Sequence, residues 1–443
     1  MTLSSKHYDT LVIGGGPAGA TAALVMARAG LSVLVLERTE FPRFHIGESL
    51  LPRNMSLLRE LGLEEALATV PRVEKRGAEF ITGDGRHKAS FTFDQGLLPG
   101  PTVTYNVERA PFDRMLLDAA RAAGAEVVEG CAVRSFAELT DGDVRVTVDN
   151  GEEVSARWLV DASGQSTVVG KHLGTRRVLP YLRKAAYFGH FENVRRRPGI
   201  EGGFPVIAMC DEGWFWLIPL DEHRTSIGFV TDAGLARRVG VPPERLLAWA
   251  IDRCPHMRER LTDAVYPETT HVAADFTYRC APYAGPGYFL VGDAATFIDP
   301  IFSTGVCLGM MSGAEAGRGI VAILQGRTPV QRVRDGYIRF VEESSAPFFR
   351  LVRGYYEHSF REMLLEGEGP FAIHRAVLAV LAGNVFPRPP FPVRWRLALF
   401  HLCVRLNRRF PLVPRRESFS LLASSSAEAA GLDAEAETLA TTS

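Results

Sequence analysis

"YDTLVIGGGPAGATAALVMARAGLSVLVLER", residues 8–38, runs from an apolar stretch through clustered glycines into an alanine-rich segment, then to a second apolar stretch ending in an acid. That order predicts strand, tight turn, helix and strand. Gly14, Gly16 and Gly19 have GxGxxG spacing. The first allows the turn, the second lets a pyrophosphate approach the backbone, and the third lets helix and strand pack closely. A helix starting at Pro17 and Ala18 aims its free N–H groups and positive dipole end at the phosphates. Glu37, followed by Arg38, closes the second strand 18 residues beyond Gly19. There a carboxylate can accept the hydroxyls of an adenosine ribose, and it would repel a 2′-phosphate. The stretch points to FAD or NAD, not NADP.

The bulk composition narrows the class. In 443 residues, 46% are apolar and 23% charged, and 50 basic residues balance 51 acidic ones. A chain with so little net charge is not built to coat nucleic acid. The six cysteines are scattered without CxxC or zinc-like histidine spacing, so buried thiols in a reducing compartment are expected and no metal site is. The polar start runs straight into the first strand, which leads to the expectation of a cytoplasmic chain. Thr10 to Ala27 is uncharged, but its glycines and proline mark a strand-turn-helix, and no transmembrane segment is expected.

Three further segments choose between the two nucleotides. "YFLVGDAATFIDP", residues 288–300, resembles the second FAD fingerprint of flavin monooxygenases of the hydroxybenzoate-hydroxylase fold. That likeness implies that Asp293 binds the ribityl chain. "ERAPFDRMLLDAA", 108–120, sets Arg109 where such enzymes keep an arginine near the flavin, and "LVDASG", 159–164, returns the chain to the nucleotide sheet. The resemblance implies FAD, and without a second GxGxxG no separate nicotinamide domain is expected.

The expected fold class is α/β. An FAD-binding Rossmann-like domain is discontinuous over 1–65, 100–180 and 272–325. Alternating stretches such as "GAEFITGDGRHKASFTF" and "RTSIGFVTD" make an inserted antiparallel-sheet substrate domain of 66–99 and 181–271. A C-terminal helical region follows at 326–422. The small, acidic residues 423–443 are expected to be disordered. Residues 386–416 carry eight arginines and no acid, reading as a solvated helix or as a basic face for an acidic partner.

Ser303, Thr304 and Gly305 precede a helix expected from about Val306, forming an anion-binding corner. From spacing alone, stabilising the negative charge of a reduced flavin is its first use and holding a halide its second. Four separated motifs add a resemblance to flavin-dependent halogenases: "GESLLP" (47–52), "EKRGAEF" (74–80), "GWFWLIP" (213–219) and "DPIFSTGV" (299–306). The branch it favours acts on phenols, pyrroles or aromatic groups on carrier proteins.

The resemblance implies that a separate flavin reductase supplies FADH2, that O2 and chloride or bromide are co-substrates, and that hypohalous acid forms inside the protein. It implies Glu48, Ser49, Pro300, Gly305 and Val306 at the flavin, and the halide at Ser303, Thr304 and Gly305. It also implies that Lys75, at the start of a strand, is catalytic, since a desolvated ammonium readily gives a nucleophilic amine. Trp214, Trp216, Ile218 and Pro219 would form a rigid wall keeping the organic substrate from the flavin while a small oxidant passes. Phe302, in the substrate pocket, stands where tryptophan halogenases carry a glutamate. The substrate should therefore be a small aromatic, free or on a carrier, activated by its own phenol or pyrrole. An aromatic hydroxylase, an isoprenoid reductase on the same fold and a non-catalytic carrier-docking module are the alternatives.

Overall fold

The computed structural model describes residues 6–179, 183–274, 277–367 and 369–423. Its organising layer is an eight-stranded sheet. At its centre the strand His7–Ile13 lies parallel to Val33–Glu37 on one side and to Glu153–Asp161 on the other. Tyr288–Leu290 and Glu126–Glu129 extend the parallel set outward. Val33 to Glu37 are all buried, as continuous apolar runs in parallel sheets are.

The helices Pro17–Arg28 and Gly305–Leu324 pack on one another against this sheet. Gly309, Gly313 and Gly317 recur every four residues and so share one face. A Cβ at Gly313 would lie 2.2 Å from the Ala18 carbonyl oxygen, and one at Gly317 3.1 Å from that of Ala22. Gly305–Leu324 is long and apolar enough to cross a bilayer, yet this face is spent on packing inside the fold.

A seven-stranded sheet runs His271–Ala274, Lys184–Glu192, Arg224–Asp232, Gly213–Pro219, Val206–Met209, Gly77–Thr82 and Lys88–Thr92. All its pairings are antiparallel except that of Val206–Met209 with Gly77–Thr82. Strand alternation sends Trp214, Trp216 and Ile218 to one face, where they join an apolar cluster with the C-terminal helices. Phe215 and Leu217 go to the other, against Leu246–Asp252 and Pro255–Arg260. Val330–Tyr355, His358–Glu366, Ile373–Leu381 and Phe391–Asn407 make the helical region.

Two junctions differ from expectation. His271–Ala274 belongs to the second sheet, because it pairs with Lys184–Glu192, so a join at 271/272 would cut through a strand. Arg72–Lys75 pairs with Thr104–Val107 in a small sheet of its own, which ties the two expected domains together. The segment expected to be disordered lies, apart from Ala423, outside the described residues.

Because the contact at Gly313 is with backbone, it cannot relax by a side-chain turn. Gly313→Ala is expected to cost about 1–3 kcal/mol. Gly336 is exposed in Val330–Tyr355 with nothing near its would-be Cβ, so Gly336→Ala should stabilise by about 0.5–1 kcal/mol. Urea denaturation followed by far-UV circular dichroism reads both. Equal stability of Gly313→Ala and wild type would show that the helices part freely.

Candidate active site

Both helix N-termini open onto one cavity of about 540 Å³, and the fingerprint segments line it. Gly14 has φ +102, and a Cβ there would fall 2.4 Å from the Ala162 carbonyl oxygen. At Gly19 the corresponding gap to the Gly14 oxygen is 1.9 Å. A Cβ at Gly16 would meet only the tip of Arg43, at 3.2 Å, so the turn is open where a pyrophosphate would come. Pro17 and Ala18 line the same wall.

Glu37 is buried, its Oε2 accepting from the Gly15 N–H at 2.8 Å and its Oε1 from the Thr39 N–H and hydroxyl at 3.0 and 2.7 Å. Arg38 donates to the Ser166 hydroxyl at 2.8 Å. Asp161, for which the sequence suggested only a topological role, is fully buried and accepts from the N–H groups of Ser163 and Val169 at 3.0 and 2.7 Å. It fixes the loop whose residues 164–166 face the cavity.

Arg109 opens the helix Arg109–Ala122 and grips Asp113 with Nε and Nη2 at 2.7 and 2.9 Å. Its Nη1 donates to the carbonyls of Ile46 and Gly47 at 2.7 and 3.3 Å. A Cβ at Gly47, where φ is +104, would sit 2.9 Å from that nitrogen, so the grip requires glycine. The next residues are stitched to the small sheet by Val107 N–H to Glu48 O at 2.7 Å and Leu50 N–H to Tyr105 O at 3.0 Å.

Those two anchors carry Glu48 and Ser49 to the cavity edge, with Lys75 behind them. Glu48 is buried, and its Oε1 lies 2.6 Å from His190 Nε2 on the second sheet. Ser49 lines the cavity and accepts from Lys75 Nζ at 2.8 Å. The same nitrogen donates to the Leu50 carbonyl at 2.9 Å and stands 5.4 Å above the Phe93 ring. Lys75 closes its strand rather than opening one. It is 3% exposed, so it is not a solvated surface lysine, and burial lowers its amine to about 7. It does not itself line the cavity; Ser49 stands between.

Across the cavity, Asp299 starts the second loop. Its carboxylate accepts from the Ile301 N–H at 3.1 Å and from the Tyr356 hydroxyl at 2.5 Å. Tyr356 in turn accepts from Trp214 Nε1 at 3.2 Å, while Lys184 Nζ rests 4.2 Å from its ring. Burial raises the Asp299 carboxyl to about 6, opposed by those two hydrogen bonds and by Lys184. Ser303 takes φ +56, a left-handed conformation that costs a serine energy. It turns the chain so that Thr304 caps Gly305–Leu324, with Pro300, Ser303, Thr304, Gly305 and Val306 all facing the cavity. A Cβ at Gly305 would be 4.0 Å from Asp293 Oδ1. Burial lifts the Asp293 carboxyl to about 6, and Arg109 opposes it.

Trp214, Trp216 and Ile218 line the opposite side. Trp216 Nε1 donates to the Ser226 hydroxyl at 3.1 Å, and its indole fills the space a Cβ at Gly228 would take, 2.2 Å away. Pro219 is a correction: one residue out of phase, it faces away from the tryptophans and does not line the cavity. Phe302 does not line this cavity either; its ring packs 6.1 Å from Tyr355 and 6.4 Å from Phe80. Tyr356 and His190 had no local signal, since their partners lie 57 and 142 residues away in sequence.

The glycine turn open at Gly16, the buried acid at the ribose position, and Arg109 and Asp293 on the cavity wall fit FAD, and together they define a flavin-binding oxidoreductase. The FAD binding domain family matches residues 7–337. A 1H-pyrrole-2-carbonyl-[peptidyl-carrier protein] brominase of Pseudoalteromonas luteoviolacea is 32% identical over 339 residues, covering 74% of this chain and 82% of that one. The corresponding chlorinase of Pseudomonas fluorescens is 28% identical over 379 residues, covering 80% and 84%. The structure of the flavin-dependent brominase Bmp2 superposes with a TM-score of 0.80 at 28% identity, covering 91% of this chain and 100% of that one. The chain belongs to the flavin-dependent halogenases, enzymes that use FAD, O2 and halide.

An amine that titrates near 7 in the fold and near 10.4 unfolded binds fewer protons folded than unfolded between those values. The cost of burying it is therefore full below pH 7 and declines as pH rises toward 10.4. Lys75→Met should raise the unfolding free energy, and by more at pH 6 than at pH 9. Denaturant titrations at both pH values read this; an equal gain at each would place the titration outside that window.

Proposed function

We propose that this enzyme halogenates an electron-rich ring, a pyrrole-2-carbonyl or a related phenolic group, delivered as a thioester on a carrier protein, with Lys75 as the catalytic residue. The observation that carries the reading is Lys75 itself: buried, with no carboxylate partner among the described residues, and held through Ser49 at the edge of the flavin cavity. The carrier comes from the relatives, two of which are named for pyrrolyl carrier substrates. With one dinucleotide turn in the sequence, a separate NADH-dependent reductase supplies the reduced flavin.

In this reading Gly14, Gly16 and Gly19 cradle the pyrophosphate, Glu37 holds the adenosine ribose, and Arg109 and Asp293 flank the ribityl chain and ring. Bound as FADH2, the cofactor would supply the two electrons and two protons with which O2, halide and one further proton become hypohalous acid and water. The Thr304 and Gly305 N–H groups, at the positive end of a 20-residue helix, hold the halide. Lys75, near its midpoint at neutral pH, donates a hydrogen bond to the hypohalous oxygen. As the halogen bonds to the ring carbon, the oxygen–halogen bond breaks, and the departing hydroxide takes the lysine proton and leaves as water. The ring proton then restores the ammonium. With Phe302 where an acid would be needed, the lysine and the substrate's own N–H or O–H are the groups left to manage that proton.

Trp214, Trp216 and Ile218 make the wall, which keeps the ring away from the flavin while a triatomic oxidant slips past. Purified protein with FAD, a reductase, NADH, O2 and bromide or chloride should convert a pyrrole-2-carbonyl carrier thioester to a product with the halogen isotope pattern. Lys75→Ala should lose about 10²–10⁴-fold of that rate while binding FAD as wild type does. Hydroxylated product, indifferent to halide and still made by Lys75→Ala, would sink the proposal. Trp216→Ala should release hydrogen peroxide or hydroxylated product at the expense of halogenation; unchanged coupling would remove the wall.

A further inference from the structure

The C-terminal helix Phe391–Asn407 has two apolar faces where one suffices for packing. Val393, Leu397, Phe400 and Val404 are buried and belong to the cluster beneath it. At 100° per residue, Phe391, Arg394, Leu402, Arg405 and Leu406 fall in the opposite third of the surface. There Phe391, Leu402 and Leu406 are 72%, 47% and 42% exposed. Exposed apolar residues grouped in this way mark an interaction surface.

The arginines of this segment divide by role. Arg388, Arg408, Arg415 and Arg416 pair with Glu343, Glu357, Glu362 and Glu366. Arg396 donates to the carbonyls of Phe371 and Pro392. Arg394, Arg405 and Arg409 are exposed and have no ion-pair partner among the described residues. Three of the four arginines without a carboxylate partner among the described residues thus lie along the apolar outer stripe, the fourth, Arg396, being held by carbonyls. The complement of that stripe is an acidic surface with apolar contacts at its centre.

Its distance from Lys75 selects the partner. The helix packs on Ile373–Leu381, where Arg375 donates to the Gln95 carbonyl at 3.0 Å and accepts from the Leu97 N–H at 3.0 Å. The turn so held is Phe93–Gln95, and Phe93 lies under the Lys75 amine. Two helix layers at about 8–10 Å each put the outer stripe about 20 Å from Lys75. A ring tethered to a carrier by a flexible prosthetic arm crosses a distance of that order. A lipid surface has no need of that spacing.

We propose that the Phe391, Arg394, Leu402, Arg405, Leu406 and Arg409 face docks the acidic surface of the carrier protein that bears the substrate. The proposal rests on the tethered-substrate reading above. The test uses the full chain with FAD, a reductase, and pyrrole-2-carbonyl loaded on a peptidyl carrier. The same acyl group as a small free thioester is run alongside. Chloride is held fixed while sodium sulfate sets the ionic strength, because chloride is itself a substrate. Arg394→Glu with Arg405→Glu should raise KM for the loaded carrier about tenfold or more, leave kcat within about twofold, and leave turnover of the free thioester unchanged. Wild-type KM should rise with ionic strength, the double variant's should not, and Arg394→Lys with Arg405→Lys should keep most of the affinity. A loaded-carrier KM unchanged by charge reversal overturns the docking face while leaving the function standing. Wild-type turnover of the free thioester but not of the loaded carrier overturns the tethered reading and this proposal with it. Binding of the wild type to anionic phosphatidylserine vesicles, lost on charge reversal while carrier kinetics stay the same, assigns the stripe to a membrane and likewise overturns it.

Discussion

Backbone-to-backbone packing of Pro17–Arg28 against Gly305–Leu324 is the constraint from which the site's geometry follows. Gly313 against the Ala18 carbonyl leaves no room for a side chain, and Gly317 against that of Ala22 leaves little. Two helices locked at that separation hold their N-termini at fixed positions on one cavity. The first N-terminus adjoins the glycine turn and the second adjoins Thr304 and Gly305. A single contact thereby sets the spacing between the phosphate end of the cofactor site and the corner proposed for halide. Gly292, at φ +55, continues the contact, since a Cβ there would meet Ala18 and Gly309 at 3.1 and 3.2 Å.

Around that frame the protein buries ionisable groups at an electrostatic cost, and Lys75 and Asp299 show two ways of meeting it. Lys75 sits in an apolar setting with a hydroxyl and a carbonyl for partners and no counter-charge among the described residues, and its burial lowers the amine to about 7. A carboxylate beside it would have kept it cationic through neutral pH. Asp299 is the opposite case. It is buried too, but the Tyr356 hydroxyl and the Ile301 N–H satisfy it, and through Tyr356 it is tied to Trp214. The C-terminal helical region is thus joined to the tryptophan strand and to the Pro300–Gly305 loop by one chain of hydrogen bonds. A shift of any of the three is felt by the others.

What could be read from the sequence was what repeats locally. The glycine spacing at 14, 16 and 19 and the acid at 37 belong to one strand-turn-helix-strand unit, whose chemistry is set by near neighbours. Strand alternation likewise puts Trp214, Trp216 and Ile218 on one face. It should also have removed Pro219 from that face, because an odd position in the same strand points the other way. The outward face of Phe391–Asn407 was legible as arginines, but not as a stripe: that needs the helix phase and knowledge of which carboxylates have already taken which guanidinium. Glu48 with His190 and Asp299 with Tyr356 are invisible to any window of residues. Each works through a partner or a loop that only the closed fold brings near.

The separation of Lys75 from the cavity bears on how the proposed chemistry stays selective. Had the amine lined the flavin cavity directly, a ring placed to reach it would also lie within reach of the flavin. Placing Ser49 at the boundary, with its oxygen accepting from Lys75, leaves the hydroxyl hydrogen free to turn toward the cavity. A small, neutral, hydrogen-bonding oxidant can be handed from the helix N-terminus to that hydroxyl and then to the amine. In the proposed reading Trp214 and Trp216, held in place by hydrogen bonds to Tyr356 and Ser226, keep a tethered ring from the same path. Selectivity in this arrangement comes from size at the boundary and from basicity behind it. That division explains why a lysine that costs the fold stability would be retained one residue's width from the cavity.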